Sequence, residues 1–295
     1  MMIQVLPIRV LTHNIRYATT SPFQGERPWG ERKHLLLNEF KYETRHCQET
    51  FICLQEVLHS QLIEIVAGLN QEAEPGAPEW EYIGVGRDDG HEAGEYSPIF
   101  YRPDVWKLLQ WETVWLSRTP KIPSKSWDAA SIRIVTIAIF AHRQTGKTIL
   151  AMNTHLDDQG SQSRFEAARI ILKKISEYHQ RVSSHNDATR HIFGTFLAGD
   201  FNSEENQEAY QELTVSLIDA YKEVENSKRY GNDITWTGFG HEDEAASRID
   251  YVLVKPTENP SRSLKVNGYA ALANQFDDGV LCSDHRAVVV DLILC

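Results

Sequence analysis

Nine apolar runs of strand length, most rich in β-branched or aromatic residues, recur along the chain: IRVLTHNI, TFICLQEV, EYIGVG, SPIFYR, RIVTIAIFAH, KTILAMNTHL, HIFGTFLAGDF, SRIDYVLV and RAVVVDLIL. Their length and composition predict β-strands. Several are apolar at consecutive rather than alternate positions, as expected of sheets covered on both faces. Between some of them the period becomes helical. In SQLIEIVAGLN the apolar Leu62, Ile65, Val66 and Leu69 share one face, with Ser60 as the expected N-cap. In SQSRFEAARIILKKISEYH, Phe165, Ala168, Leu172 and Ile175 do the same, and Ser163 with Glu166 fits a capping box. A third helix is expected over about residues 30–46 and a short one after Ser203. Strands outnumber helices, which favours an α/β sandwich of two packed sheets with helices outside. No Pro/Gly/Ser-rich linker, tandem period or low-complexity tract interrupts the pattern, so one domain over residues 1–295 is expected.

The polar tips of these runs share a chemistry. VLTHN ends at Asn14, FICLQE at Glu56, ILAMNTH at Asn153 and His155, and FLAGDFN at Asp200 and Asn202. RAVVV begins just after Asp284 and His285, and RIDYVLV carries Asp250 near its start. Taken singly, each tip has a plain structural reading: a solvated strand end, a turn into a helix, a hydrogen-bonded histidine. Asp250 is the exception, because an acid inside an apolar strand is costly unless paired. If the tips gather at one edge of the sandwich, they assemble what phosphoester hydrolysis needs: charge neutralisation on the phosphoryl oxygens, an oriented water and help for the leaving oxygen. Magnesium takes oxygen ligands and needs only one or two carboxylates besides the phosphate. Glu56 is the natural principal ligand, with the Asn14 amide close by. Asp200 would orient or deprotonate the water, and Asn202 would steer phosphate or nucleophile. His285, protonated beside Asp250 or Asp284, would clamp the phosphate.

Charge narrows the substrate. The net charge is −11, with 30 Lys+Arg against 41 Asp+Glu. A protein living on long nucleic acid usually carries a basic footprint. The expected substrate is therefore a small or short phosphomonoester or phosphodiester. The runner-up is an endonuclease or exonuclease on DNA or RNA with a local basic cleft, and a non-catalytic phosphoester-binding module ranks below it. A lipid phosphodiesterase would call for a basic amphipathic helix or an anchor, neither of which is visible. His155 and Asp157 are near neighbours in NTHLDD, but no second His or Cys cluster completes a zinc site. Cys47, Cys53, Cys282 and Cys295 do not form a disulfide framework, and Cys53 and Cys282 lie in strand-like runs as expected buried thiols. With no leader pattern and no long apolar run, a soluble cytoplasmic protein is expected, with neither a membrane span nor an obligate protein partner.

The ordered pieces THN, LQE, NTH, GDFN, RIDY and SDH resemble the endonuclease/exonuclease/phosphatase superfamily, which includes deoxyribonuclease I, abasic-site endonucleases, neutral sphingomyelinases, inositol-polyphosphate phosphatases and deadenylases. They extend from residue 12 to 286. The resemblance implies a four-layered α/β sandwich and a divalent-metal-dependent phosphoesterase, with Mg2+ as cofactor and Mn2+ as a substitute. It implies Glu56 as metal ligand with Asn14 alongside and Asp284 near the metal. Asp200 matches the water-activating aspartate, with Asn202 beside it. His285 matches the phosphate-contacting histidine, Asp250 its carboxylate partner, and His155 a second phosphate-contacting histidine. GVGRDDG, GEYSPIFYR, SWDAASIRIVT and NTHLDDQGSQSR look like a microbial and fungal branch of the superfamily. Tyr101 falls where several nucleases have an active-site tyrosine. Arg133 and Arg164, and also Arg87, are candidates for holding phosphate or polar substrate groups. Trp127 and Trp236 are read as core residues with the cleft as the alternative.

Overall fold

The computed structural model describes residues 5–184, 191–240, 245–257 and 264–295. Each of the nine apolar runs contains a strand. They enter two mixed sheets. The first runs β10 (Arg229–Gly231), β12 (Leu264–Ala271), β13 (Val288–Leu294), β1 (Leu6–Asn14), β2 (Thr50–Gln55), β4 (Ile99–Tyr101) and β3 (Glu81–Ile83). The second runs β5 (Trp106–Trp115), β6 (Ile134–His142), β7 (Thr148–His155), β8 (Ile192–Asp200), β11 (Asp250–Val254) and β9 (Ile218–Asp219).

The consecutive apolar positions are explained by what lies on either side of each sheet. One face of β1, β2 and β13 presents Val10, Phe51, Cys53 and Val290 to Phe140, Ala151, Phe196 and Val252 of the other sheet. Phe51 is ringed by Trp106, Phe140 and Phe196, with centroids 4.9, 5.0 and 5.5 Å away. The opposite face of the first sheet, including Leu11, Ile52 and Leu54, is covered by Leu36 and Phe40 of α1 (Trp29–Thr44) and Leu62 and Ile65 of α2 (His59–Leu69). The outer face of the second sheet packs Val135, Leu150, Met152 and Leu197 against Ala168, Ile171 and Ile175 of α3 (Ser161–Ser184) and Ala209 and Leu213 of α4 (Glu208–Thr214). The result is the expected four-layered sandwich, helix, sheet, sheet, helix.

Four strands escaped the pattern. β5 is an edge strand whose middle is exposed and whose register shifts between Leu108 and Gln110, so its alternation is broken. β12 contains Asn267 and Gly268 and also carries a bulge. β9 and β10 have only two and three residues.

The expected helix caps are corrected. Ser60 lies inside α2, preceded by Leu58 as the N-cap residue, and Gln61 Oε1 accepts from the Leu58 N–H at 3.2 Å. The same oxygen accepts from Ala18 N at 2.9 Å, so the first turn of α2 also holds the segment after β1. Ser163 lies in the first turn of α3 rather than before it. The first-turn N–H groups of Gln162 and Ser163 donate instead to the Asp128 carboxylate, at 3.2 and 2.7 Å, from a loop remote in sequence. Cys53 is a buried strand residue; Cys282 is buried but precedes β13 in irregular backbone.

The non-local cap gives a direct test. Replacing Asp128 by alanine should lower unfolding stability by about 1 kcal/mol, the usual worth of an N-cap carboxylate, whereas Ser163→Ala should cost less. Urea titration of both variants measures the order, and a larger loss for Ser163→Ala would contradict the assignment.

Candidate active site

Strand register brings the polar tips into one row. β1 and β2 are parallel with Asn14 opposite Gln55, so Glu56 follows directly at the same edge. β7 and β8 are parallel with His155 opposite Asp200, and antiparallel β11 places Asp250 opposite Asp200. Asp284 and His285 precede β13 at that edge. The sheets meet where Asn14 Nδ2 donates to Glu56 Oε1 at 3.0 Å and to Asp200 Oδ2 at 2.9 Å, joining a carboxylate of one sheet to a carboxylate of the other. Beneath this row, Gln55 Nε2 donates to Asn153 Oδ1 at 2.7 Å, and Asn153 Nδ2 donates to the carbonyls of Leu54 and Pro98, both at 2.8 Å. Asn153 thus forms part of the inter-sheet floor.

The backbone bends sharply at the tips. Arg16, Glu56 and Asn202 all adopt positive φ, at 57°, 58° and 45°. Left-handed backbone at a non-glycine residue costs on the order of 1–3 kcal/mol and persists only where surroundings over-determine it. Here Glu56 Oε2 accepts from Tyr17 N at 3.1 Å, Asn14 Oδ1 from Arg16 N at 3.0 Å, and Asp200 Oδ1 from Asn202 N at 2.9 Å. Gly199, at φ 144°, lets β8 approach β7 so closely that a Cβ would lie 2.0 Å from the Thr154 carbonyl oxygen.

Charge divides the cluster into two halves. In the first, His285 Nδ1 meets Asp250 Oδ2 at 2.8 Å and its Nε2 lies 3.6 Å from Asp200 Oδ2. Burial alone would lower the imidazole pKa, but Asp250 and Asp200 outweigh it and push it up to about 10. His285 is therefore an imidazolium at neutral pH. Burial, with Asp250 adding, raises the Asp200 carboxyl above its ordinary range, against the opposing pull of His285, His155 and the Asn14 amide. In the second half, burial pushes Asp284 up to about 6; nearby Glu56 also raises it, while His285 and Arg16 act in the opposite direction.

His155 differs from His285. Burial, followed by the nearby Arg133 charge, lowers it to about 4, so it is neutral. Its Nε2 faces Asn202 Nδ2 at 3.0 Å, and that amide nitrogen also donates to the Leu156 carbonyl at 3.0 Å, which fixes the amide orientation. Nε2 is then the acceptor. The proton resides on Nδ1, which faces Glu95 Oε2 at 3.6 Å. Glu95 in turn accepts from Arg87 Nη1 at 2.8 Å.

Asn14, Glu56, His155, Asp200, Asn202, Asp250, Asp284 and His285 lie together. Arg133 is adjacent, ion-paired with Asp157 and Asp158 at 3.5 and 2.8 Å, and its buried Nη1 has no hydrogen-bond partner among the described residues. Two residues are not brought to the cluster. β4 runs antiparallel to β2 with Phe100 opposite Ile52, so Tyr101 lies toward the start of β2 and away from Glu56; its ring packs on Phe140 and its hydroxyl donates to Glu81 at 2.6 Å. Arg164 joins α3 to Glu208, at the start of α4, at 2.6 Å and donates to the Asp157 carbonyl at 3.0 Å, a structural tie. Asp157 is occupied by the N–H groups of Ala130, Ser131, Gln159 and Gly160. Glu95, Arg16 and Glu26 join the site without standing at the tip of an apolar run; of the three, Glu95 alone lies in a stretch the sequence marks, GEYSPIFYR.

Among the described residues, Asp200, Asp250 and His285 present ligand atoms within 4.8 Å of one another, a group that could hold an ion. The protonated imidazole opposes a cation there. Glu56 with Asp284 offers oxygen donors, the type a hard divalent cation takes, and their mutual repulsion is what such an ion would relieve.

The two-sheet sandwich brings carboxylates, amides and imidazoles together at one edge. The sequence matches the endonuclease/exonuclease/phosphatase family over residues 11–285, and the chain belongs to that family. It is similar to an endonuclease/exonuclease/phosphatase from Bacteroides vulgatus, at 33% identity and TM-score 0.79 over 97% of this chain and 98% of that one. A mannosyl-6-phosphatase from Bacteroides thetaiotaomicron is 29% identical, with TM-score 0.78 over 97% and 99% of the two chains. The CCR4-Not complex 3'-5'-exoribonuclease subunit Ccr4 from Debaryomyces hansenii is 22% identical over 263 residues, 80% of this chain. The match spans only 30% of that relative's length. No helix among the described residues is long and apolar enough to cross a membrane.

The Asp250–His285 pair can be tested by imidazole NMR titration. Asp250→Asn should bring the His285 pKa down from about 10 by about 1–3 pH units, the effect of removing an opposite charge at contact distance. An unchanged His285 titration would contradict the pairing.

Proposed function

We propose that the chain is a divalent-metal-dependent phosphoesterase acting on a small or short phosphoester by attack of water. The observation that carries the reading is the meeting of opposite charges in one cluster: an imidazolium, His285, held by Asp250, and the mutually repelling carboxylates Glu56 and Asp284. Asp200 lies between them, bonded to Asn14 and 3.6 Å from His285 Nε2.

Glu56 and Asp284, with Asn14 alongside, would hold the ion, Mg2+ or Mn2+. That ion supplies charge neutralisation on the phosphoryl group. Asp200 accepts the proton of the attacking water, and its ties to Asn14 and the Asn202 N–H keep its oxygens aimed. His285, held charged by Asp250, stabilises the charge that develops on the phosphoryl oxygens. Asn202 and neutral His155 flank Asp200, with His155 Nε2 3.5 Å from its Oδ2, and Arg133 adds a cation nearby. Tyr101 and Arg164 have no part in this assignment.

Substrate size rests on two supports. The net charge of −11 disfavours long polyanions. A full-length relative at 29% identity is a mannosyl-6-phosphatase, which points toward phosphorylated sugars or similarly small esters. The second reading, a nuclease, is favoured by the similarity to an exoribonuclease subunit.

A panel of sugar phosphates, nucleotides, inositol phosphates, an aryl phosphodiester, single-stranded RNA and DNA and abasic duplex tests the proposal. Wild type should turn over a small ester with magnesium and lose activity with chelator. Asp200→Ala should reduce kcat by about 10²–10⁴-fold, the contribution of a carboxylate general base. Turnover that survives both chelation and the substitution would overturn the mechanism. Preferential cleavage of RNA or DNA would instead select the nuclease reading. Binding of a phosphorylated ligand with no turnover would make the chain a binding module.

A further inference from the structure

Helix α1 carries a fully buried arginine that none of the assigned chemistry uses. Arg32 has no exposed surface. Its Nη1 donates to the carbonyls of Ile15 and Cys282, at 2.9 and 2.8 Å. Its Nη2 donates to the Arg16 carbonyl at 3.2 Å and its Nε to that of Arg27 at 2.9 Å. Ile15 and Arg16 directly follow Asn14, and Cys282 lies two residues before Asp284. One guanidinium therefore spans two active-site tips separated by more than 250 residues of chain. A second tie crosses the same gap, from Ser283 Oγ to the Asn14 carbonyl at 2.6 Å.

The charges around Arg32 alternate toward the cluster. Glu26 lies 3.9 Å from Arg32 and 3.3 Å from Arg16, and Arg16 lies 3.7 Å from Glu56. Moving Arg32 would thus disturb the spacing of the tips and the partners of Glu56 together. The planar fork of donors is suited to this task, because an ammonium cannot direct hydrogen bonds along the same fixed vectors.

We propose that Arg32 is a positioning residue for the divalent cation: it fixes the Asn14–Arg16 tip against the Cys282–Asp284 tip, and so sets the separation of the oxygens that receive the ion. This rests on the reading above that Glu56 and Asp284 hold that ion. Arg32 touches neither the ion nor the substrate; it acts through backbone.

The test is isothermal titration of Mn2+ into the chelator-treated full chain. Arg102 provides a matched control. It is buried and donates to the carbonyls of Thr44, Cys47 and Gln48, at 3.2, 3.1 and 3.3 Å, near the start of β2 and away from the site. Arg32→Lys should weaken Mn2+ binding by about 10–100-fold, the loss typical of removing a support behind metal ligands. Arg102→Lys should leave Mn2+ affinity unchanged even where its melting temperature falls as far. Equal affinities for wild type and Arg32→Lys, or equal losses in the two variants, would overturn the proposal. A wild type that binds no Mn2+, or a Glu56→Gln variant that binds it as wild type does, would instead remove the cation reading on which it rests. Should Arg32→Lys not fold, Ser283→Ala tests the same spacing: affinity should fall about 3–10-fold for loss of the tie to the Asn14 carbonyl and of the oxygen that accepts from the His285 N–H, and an unchanged affinity would overturn the claim that tip spacing sets it.

Discussion

Four carboxylates, Glu56, Asp200, Asp250 and Asp284, are held in one poorly hydrated cluster, and much of the surrounding structure answers that constraint. An unpaired buried charge costs several kcal/mol, so each acid needs a named partner. Asp250 has His285 at 2.8 Å. Asp200 has Asn14 at 2.9 Å and the Asn202 N–H at 2.9 Å. Glu56 has Asn14, the Tyr17 N–H and, at longer range, Arg16. Asp284 has the Ser283 hydroxyl at 3.3 Å, and burial still raises its carboxyl, as it does that of Asp200. Glu56 and Asp284 repel each other, and no imidazole contact as short as that of Asp250 relieves them. A phosphoryl group bound between the two halves would meet a fixed cation on one side and a place for a divalent ion on the other.

The sandwich makes this arrangement affordable because its sheets supply the rigidity. Neighbouring strands fix His155, Asp200 and Asp250 through register, leaving little freedom for loops to absorb. The Asn14 amide and the Gln55–Asn153 bridge then tie one sheet to the other directly beneath the cluster. Against such a frame, positive φ at Arg16, Glu56 and Asn202 can be sustained, and those bends turn side chains from the strand direction toward a common point. The adjoining loop is built from separate material: Asp157 anchors the segment before β6, and Asp128 holds the start of α3.

The core strands and the acids at their tips were legible because both are written locally. An apolar run such as TFICLQ reports its own burial, and an acid such as Asp250 within an apolar strand reports that a partner exists. The identity of that partner is a tertiary fact: the residues alone leave His285 beside either Asp250 or Asp284, and the ordered resemblance selects Asp250. The edge strand β5 was hidden because solvent on one side and a bulge erase its alternation. Caps were misread for a related reason: Asp128 caps α3 from another loop, and a nearby serine in the right local pattern could not compete with it. Tyr101 and Arg164 fell in suggestive positions, but which way a side chain points depends on neighbours, here Glu81 and Glu208. Arg32, in a helix of ordinary amphipathic appearance, gave no sequence signal at all.

The central claim is that the cation site and the imidazolium are distinct halves of one cluster. Anomalous diffraction from crystals soaked in Mn2+ tests it most directly. The account predicts a manganese peak between Glu56 and Asp284, with the His285–Asp250 contact intact at 2.8 Å. A peak liganded by Asp200, Asp250 and His285, with that contact broken, would contradict it.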